Sequence, residues 1–200
     1  MSSKTIKNVL YIYFFKGSQL KLTSDFNIKS VFAFSKNFDP DKLHLKKYDI
    51  IVLGAGKANL NPKATDLLKY IPNLKKVFKQ KDTKVFGLCY GMQLLCHYHN
   101  NKLEMLNERH KSTKRIKING LKNMRVRFNH KYTCKNVDTK KKLQIIKIKD
   151  SVKNSVKNNV KERKIPIFIK FSKNHYGTQF HFTNKEDRSY ALTVAIDNKL

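Results

Sequence analysis

A thiol stands between two glycines in VFGLCYGMQLLC, residues 85–96, in the order Gly87-Leu88-Cys89-Tyr90-Gly91. An apolar run precedes Cys89 and a helix-like stretch follows it with no room for a loop, which sets the thiol on a strand-to-helix corner. A nucleophile held on such a corner sits in a strained backbone, and side chains two residues away on either side would collide with neighbouring segments. Glycine at 87 and 91 relieves both collisions. The amino end of a helix also offers free amides and a dipole that favour thiolate over thiol. A buried cysteine at an ordinary tight turn is the plain alternative. Further chemistry-bearing residues stand around it: Gln93 one turn into the helix, and a late strand histidine, His181, suited to acid–base work beside a thiol. A glycine turn, VLGAG (52–56), ends an early strand.

The elements that would position these groups are legible in the periodicity. KNVLYIYFF (7–15), NIKSVFAFS (27–35), YDIIVLG (48–54) and TKVFGL (83–88) are rich in β-branched and aromatic residues and read as buried parallel strands. NPKATDLLKYIPNLKKVFKQ (61–80) carries Leu67, Leu68, Ile71, Leu74, Val77 and Phe78 on one helical face, and YGMQLLCHYH (90–99) is a second helix. Strand–helix alternation of this kind predicts an α/β fold with a mostly parallel sheet covered by helices on both faces, with ligands at the carboxyl ends of the strands. Gly54 to Gly56 and Cys89 fall at such ends. KRIKING, NMRVRFN, KLQIIKIKD and IPIFIKFS then read as short, partly antiparallel strands, and YGTQFHF and KEDRSYALTVAI as a closing strand and helix. The Lys/Asn-rich tract at 150–164 reads as a mobile hairpin tip or a disordered insert. One domain, residues 1–200, is the expected organisation.

The chain has a formal charge of +29. Every quarter of the sequence is basic, and only six of the 43 basic residues are arginine, the residue that nucleic-acid surfaces favour. A solvated lysine surface is therefore the reading, with no specific nucleic-acid partner: neither clustered arginine nor an aromatic platform is visible along the sequence. Three widely spaced cysteines (Cys89, Cys96, Cys134) do not form a disulfide framework and point to a reducing, cytoplasmic setting. No run is long and apolar enough to cross a bilayer. Cys96, His97 and His99 crowd together but lack a second ligand pair at zinc spacing, so a helix end facing the core is expected there and no metal or cofactor is assigned. His175, in KNHYG, reads as a surface loop residue.

Gly87-Leu88-Cys89-Tyr90-Gly91-Met92-Gln93 resembles, position for position, the GxCxGxQ nucleophile segment of the class I glutamine amidotransferases. YGTQFHFT supplies Gly177, Gln179, Phe180 and His181 of their late QFHPE signature, and VLGAG stands where their glycine turn lies. INGLKNMRVRFNHKY is similar to a segment of the GMP synthase glutaminase subunit, whose histidine would be His130. The resemblance implies a flavodoxin-like three-layer sandwich that hydrolyses L-glutamine and passes ammonia to a synthase or ATP pyrophosphatase partner chain. In it Cys89 attacks the amide, His181 protonates the departing ammonia, Ala55, Gly56 and Tyr90 amides form the oxyanion hole, and Gln93 and Gly54 meet the substrate.

The pattern breaks after His181. The family's glutamate two residues on is replaced here by Thr183, and its proline by Phe182. Lys57 stands where many relatives have proline. TNKE (183–186) fits a capping box with Thr183 as cap and Glu186 reaching back to it, whereas Glu186, or Asp187, would be the substitute carboxylate if it turned toward His181. Two other readings remain: a catalytically silent relative kept as a binding module, and a γ-glutamyl hydrolase-like cysteine hydrolase, against which Tyr90 counts because the intracellular-peptidase branch places histidine directly after the cysteine.

Overall fold

The computed structural model describes residues 5–35, 38–54, 56, 73–118, 121–135, 137, 143–154, 157–197 and 199. Ten strands are described: β1 Lys7–Tyr13, β2 Phe26–Phe32, β3 Ile50–Leu53, β4 Lys84–Leu88, β5 Lys102–Lys117, β6 Asn123–Lys135, β7 Leu143–Asn154, β8 Lys157–Lys170, β9 His175–Thr178 and β10 His181–Phe182. A helical stretch at 73–78 (α1) precedes β4, α2 spans Tyr90–Tyr98, and α3 spans Lys185–Ile196. The rest of the predicted 61–80 helix lies outside the described residues.

Seven strands form one sheet in the order β2-β1-β3-β4-β9-β8-β7. The five from β2 to β9 are parallel, and β8 and β7 add antiparallel. Side-chain alternation divides this sheet between two cores. Leu10, Ile12, Ile51, Leu53 and Val85 face Leu74, Val77 and Phe78 of α1 and Leu94 and Leu95 of α2. Val9, Tyr11, Ile50, Val52 and Phe86 face the other way, toward Ala191, Leu192 and Ala195 of α3 and toward Met124, Val126 and Phe128 of β6. Strands β1, β3 and β4 are therefore apolar on both faces, as the sequence reading expects of a buried parallel sheet, while β2 at the sheet edge exposes Asn27, Lys29 and Ser30. The second face is shared between a helix and a small sheet, β10-β6-β5.

The late segment YGTQFHF is two strands, not one. Its first half, β9, lies between β4 and β8; its second half, β10, crosses to pair with β6. The Lys/Asn-rich tract forms the outer arms of the β7–β8 hairpin, paired as far as Asn154 and Lys157. His175 is a correction: it opens β9 in the middle of the sheet, is only 5% exposed, and its Nδ1 lies 2.8 Å from His99 Nε2.

Candidate active site

Cys89 caps the amino end of α2 with φ 51° and ψ −94°. This is a conformation that costs an L-residue on the order of 1–3 kcal/mol and persists only where the surroundings fix it. They do so at several points. The Cys89 N–H donates to Thr178 O at 2.7 Å, continuing the β4–β9 pairing through the corner, and Cys89 O accepts from the Gln93 N–H at 3.2 Å. A Cβ on Gly87 would lie 2.5 Å from the Gly91 backbone, and one on Gly91 would lie 2.3 Å from Leu53 O. Strand and helix approach so closely here that only hydrogen fits on either glycine.

The Sγ of Cys89 is buried. Gln179 Nε2 donates to it at 3.7 Å, and the Tyr90 amide is directed at it as well. Burial outweighs these donors and pushes the thiol up to about 11. The sequence reading expected the helix terminus to favour thiolate; desolvation of the charged form is the larger effect and favours the thiol.

His181 sits in β10, in register with Arg127. Burial lowers its pKa to about 4, and the nearby charges of Arg127 and Arg188 act in the same direction. Both partners of the candidate pair are thus neutral at rest. His130 is 3% exposed and held down to about 3, first by burial and then by His110, with His181 and Arg109 adding to the effect. Its bonds fix its tautomer. Tyr132 O can only accept, so the proton sits on His130 Nδ1, 3.0 Å away. His130 Nε2 then accepts from His110 Nδ1 at 3.2 Å, and His110 Nε2 accepts from Ser112 Oγ at 2.9 Å. Gln93 Nε2 joins the same Tyr132 carbonyl at 3.0 Å. A polar chain thereby runs from Ser112 through the small sheet to the first turn of α2.

The glycine turn approaches the same corner. A Cβ on Gly56 would lie 2.8 Å from the Tyr90 ring, which also packs edge-on against Phe14 at 5.1 Å, and a Cβ on Gly54 would lie 2.4 Å from the Tyr11 hydroxyl. Ala55 and Lys57 lie outside the described residues.

The model of the family described as "Glutamine amidotransferase class-I" matches residues 26–187. The chain belongs to the class I glutamine amidotransferases. Among solved structures, a candidate GMP synthase subunit from Thermoplasma acidophilum is similar at TM-score 0.65 and 14% identity, over 96% of this chain and 94% of that one. A glutamine amidotransferase from Thermotoga maritima has TM-score 0.57 and 16% identity, over 88% and 76%. One from Methylobacillus flagellatus has TM-score 0.52 and 12% identity, over 88% and 70%. Among curated protein sequences none matches the chain.

Against the amidotransferase pattern, the residues after His181 take their own course. Thr183 is not the helix cap. Its Oγ1 donates to Arg125 O at 2.8 Å and its N–H to the same oxygen at 3.3 Å, which extends the β10–β6 pairing. The cap is Asn184, whose side chain accepts from the Asp187 N–H at 2.7 Å while Asn184 Nδ2 donates to Asp187 Oδ2 at 3.0 Å. The box predicted at 183–186 is thus displaced by one residue, because Thr183 is already committed to the sheet. Asp187 is engaged by this cap and by Lys122 at 3.0 Å. Glu186 is exposed in the first turn of α3, and the charges that act on His181 are both arginines.

Gln179 and Arg109 complete the surroundings of the thiol, and neither was singled out as a site residue from the sequence. Gln179 is fully buried, with its Oε1 unpaired among the described residues. Its signal was available, as the glutamine two residues before His181. Arg109 favours the thiolate of Cys89 from across the small sheet; a lone arginine in NERHK carries no such signal.

Proposed function

We propose that this chain is a glutaminase subunit that hydrolyses L-glutamine to glutamate and ammonia and hands the ammonia to a synthase chain of the GMP synthase type. The observation that carries the reading is Cys89 at positive φ between two glycines that admit no side chain, with Gln179 and the Tyr90 amide directed at its sulfur. Because the thiol and His181 are both neutral at rest, the proton moves to the imidazole as Sγ bonds to the amide carbon. Imidazolium then gives that proton to the departing nitrogen, the C–N bond breaks, and ammonia leaves a glutamyl thioester. Neutral His181 next takes a proton from water, whose oxygen attacks the thioester carbon, and the proton returns to sulfur as glutamate departs. The amides of Ala55, Gly56 and Tyr90 stabilise the oxyanion. Gln93 and Gly54 meet the substrate, with Gln93 exchanging its Tyr132 bond for it. Thr183 leaves the imidazolium without a carboxylate, and Glu186 remains the substitute to test.

Three free thiols support a cytoplasmic setting, and among the described residues no helix is long and apolar enough to cross a membrane. The test is glutamate release from glutamine by the purified chain beside Cys89→Ala and His181→Ala. Release that both substitutions abolish supports the reading. No release from the wild type, at any glutamine concentration, defeats it in favour of a silent binding module.

A further inference from the structure

Four of the six arginines, Arg109, Arg115, Arg125 and Arg127, lie on two adjacent strands, β5 and β6. All four fall within residues 109–127, and the hairpin sets the two strands that carry them side by side. On its outer face Lys111 pairs with Asn129, Thr113 with Arg127, Arg115 with Arg125, and Lys117 with Asn123, all exposed. Five cations thus share one face that bears neither a carboxylate nor an aromatic ring. The β5 acids Glu104 and Glu108 lie at or before the irregularity between Met105 and His110, and Glu104 is held by Lys135 and Arg163. Among the described residues none of these five cations has a carboxylate partner.

Arg115 directly opposite Arg125 is a like-charge cross-strand pair, which costs the isolated sheet stability. A local rule broken without compensation inside the chain points to compensation from outside it. The position of the face says where that would act: β10 is the third strand of the same sheet, and His181 stands in register with Arg127. The cationic face therefore adjoins the site from which ammonia would leave.

We infer that the outer face of β5 and β6, centred on Arg115 and Arg125, docks an acidic protein face, that of the chain which accepts the ammonia. The assignment of the partner rests on the glutaminase reading. Arginine forks pair bidentately with carboxylates on a flat surface. Single-stranded nucleic acid would instead need stacking rings, which this face does not have.

The probes are poly-L-glutamate and an oligothymidylate, titrated at several salt concentrations against the full chain, against Arg115→Thr/Arg125→Thr, and against Lys29→Thr/Lys46→Thr as a control of equal charge on exposed sites elsewhere. The expected result is a loss of poly-glutamate affinity of about tenfold in the arginine pair and under about twofold in the lysine pair, with the arginine pair melting no lower than the wild type because a repulsion has been removed. Equal losses in both variants, or none, overturn the docking face. So does oligothymidylate binding that exceeds poly-glutamate binding and depends more strongly on the arginines. Glutamine hydrolysis is measured on the same samples: its absence would defeat the glutaminase reading and the ammonia-accepting partner, while the difference between the two variants would still decide whether the face binds acidic protein.

Discussion

At the scale of single residues, the candidate pair Cys89 and His181 is set by burial more than by charge. A thiol near 11 and an imidazole near 4 mean that the resting pair carries no ions, and that one proton moves within it during attack. Alkylation of Cys89 by iodoacetamide, corrected with Cys89→Ala, should therefore accelerate by about tenfold per pH unit from about pH 7 to pH 10, following the thiolate fraction; a plateau already reached near pH 7 would show a resting thiolate. Thr183→Glu would set a carboxylate on the His181 side of the extended backbone. The expected outcome is an upward shift of the His181 titration, read by NMR, together with a rise in kcat of about tenfold, a fraction of what the acid contributes in a serine triad. A titration that moves while kcat does not would show that the imidazolium is stabilised by other means. The thiol, its glycines and the late histidine were visible in the sequence because chemistry ties them to fixed spacings. The direction of the pKa shifts was not, because it depends on how deeply segments remote in sequence bury the pair.

At the scale of elements, the strand-to-helix corner is the joint on which the site depends. Gly91→Ala would drive a methyl carbon into the Leu53 carbonyl of a neighbouring buried strand, and main chain cannot move aside as a flexible side chain does. A loss of about 3 kcal/mol is expected, at the upper end of overpacking costs, read as a lower denaturant midpoint. A midpoint unchanged from the wild type would mean that β3 and α2 can separate. Parallel strands β1, β3 and β4 were legible because both their faces are apolar. Most of β5, KLEMLNERHKST, was not: both its faces are largely solvated, so neither alternation nor an apolar run marks it as strand. The capping box at 183–186 was read one residue early, since TNKE and NKED both fit and only the pairing of Thr183 with β6 decides between them.

At the scale of the whole molecule, neutral buried histidines link folding to acidity. His130 and His175 are held near 3 and 4 against an ordinary 6.5, burial being the main cause for both. Below 6.5 the unfolded chain binds protons that the folded chain refuses, so stability falls as pH drops from 6.5 toward 4, by up to about 3 kcal/mol for each ring. A thermal midpoint declining over that window, with the decline reduced in His175→Phe, is the expected outcome; a flat profile would show these rings protonated in the folded state. The sequence showed the charge of the molecule but not its arrangement. Arg115, Arg125 and Arg127 come to share one face only once β5 and β6 pair.

The proposed chemistry depends above all on Cys89 attacking the side-chain carbonyl carbon of bound glutamine. The most direct test is incubation with 6-diazo-5-oxo-L-norleucine, a glutamine analogue that alkylates a nucleophile placed at that carbon, followed by peptide mass spectrometry. Stoichiometric labelling is expected on Cys89 alone, slowed by excess glutamine and absent in Cys89→Ala. Labelling spread over Cys96 and Cys134, or none at Cys89 while glutamine is still hydrolysed, would contradict that role.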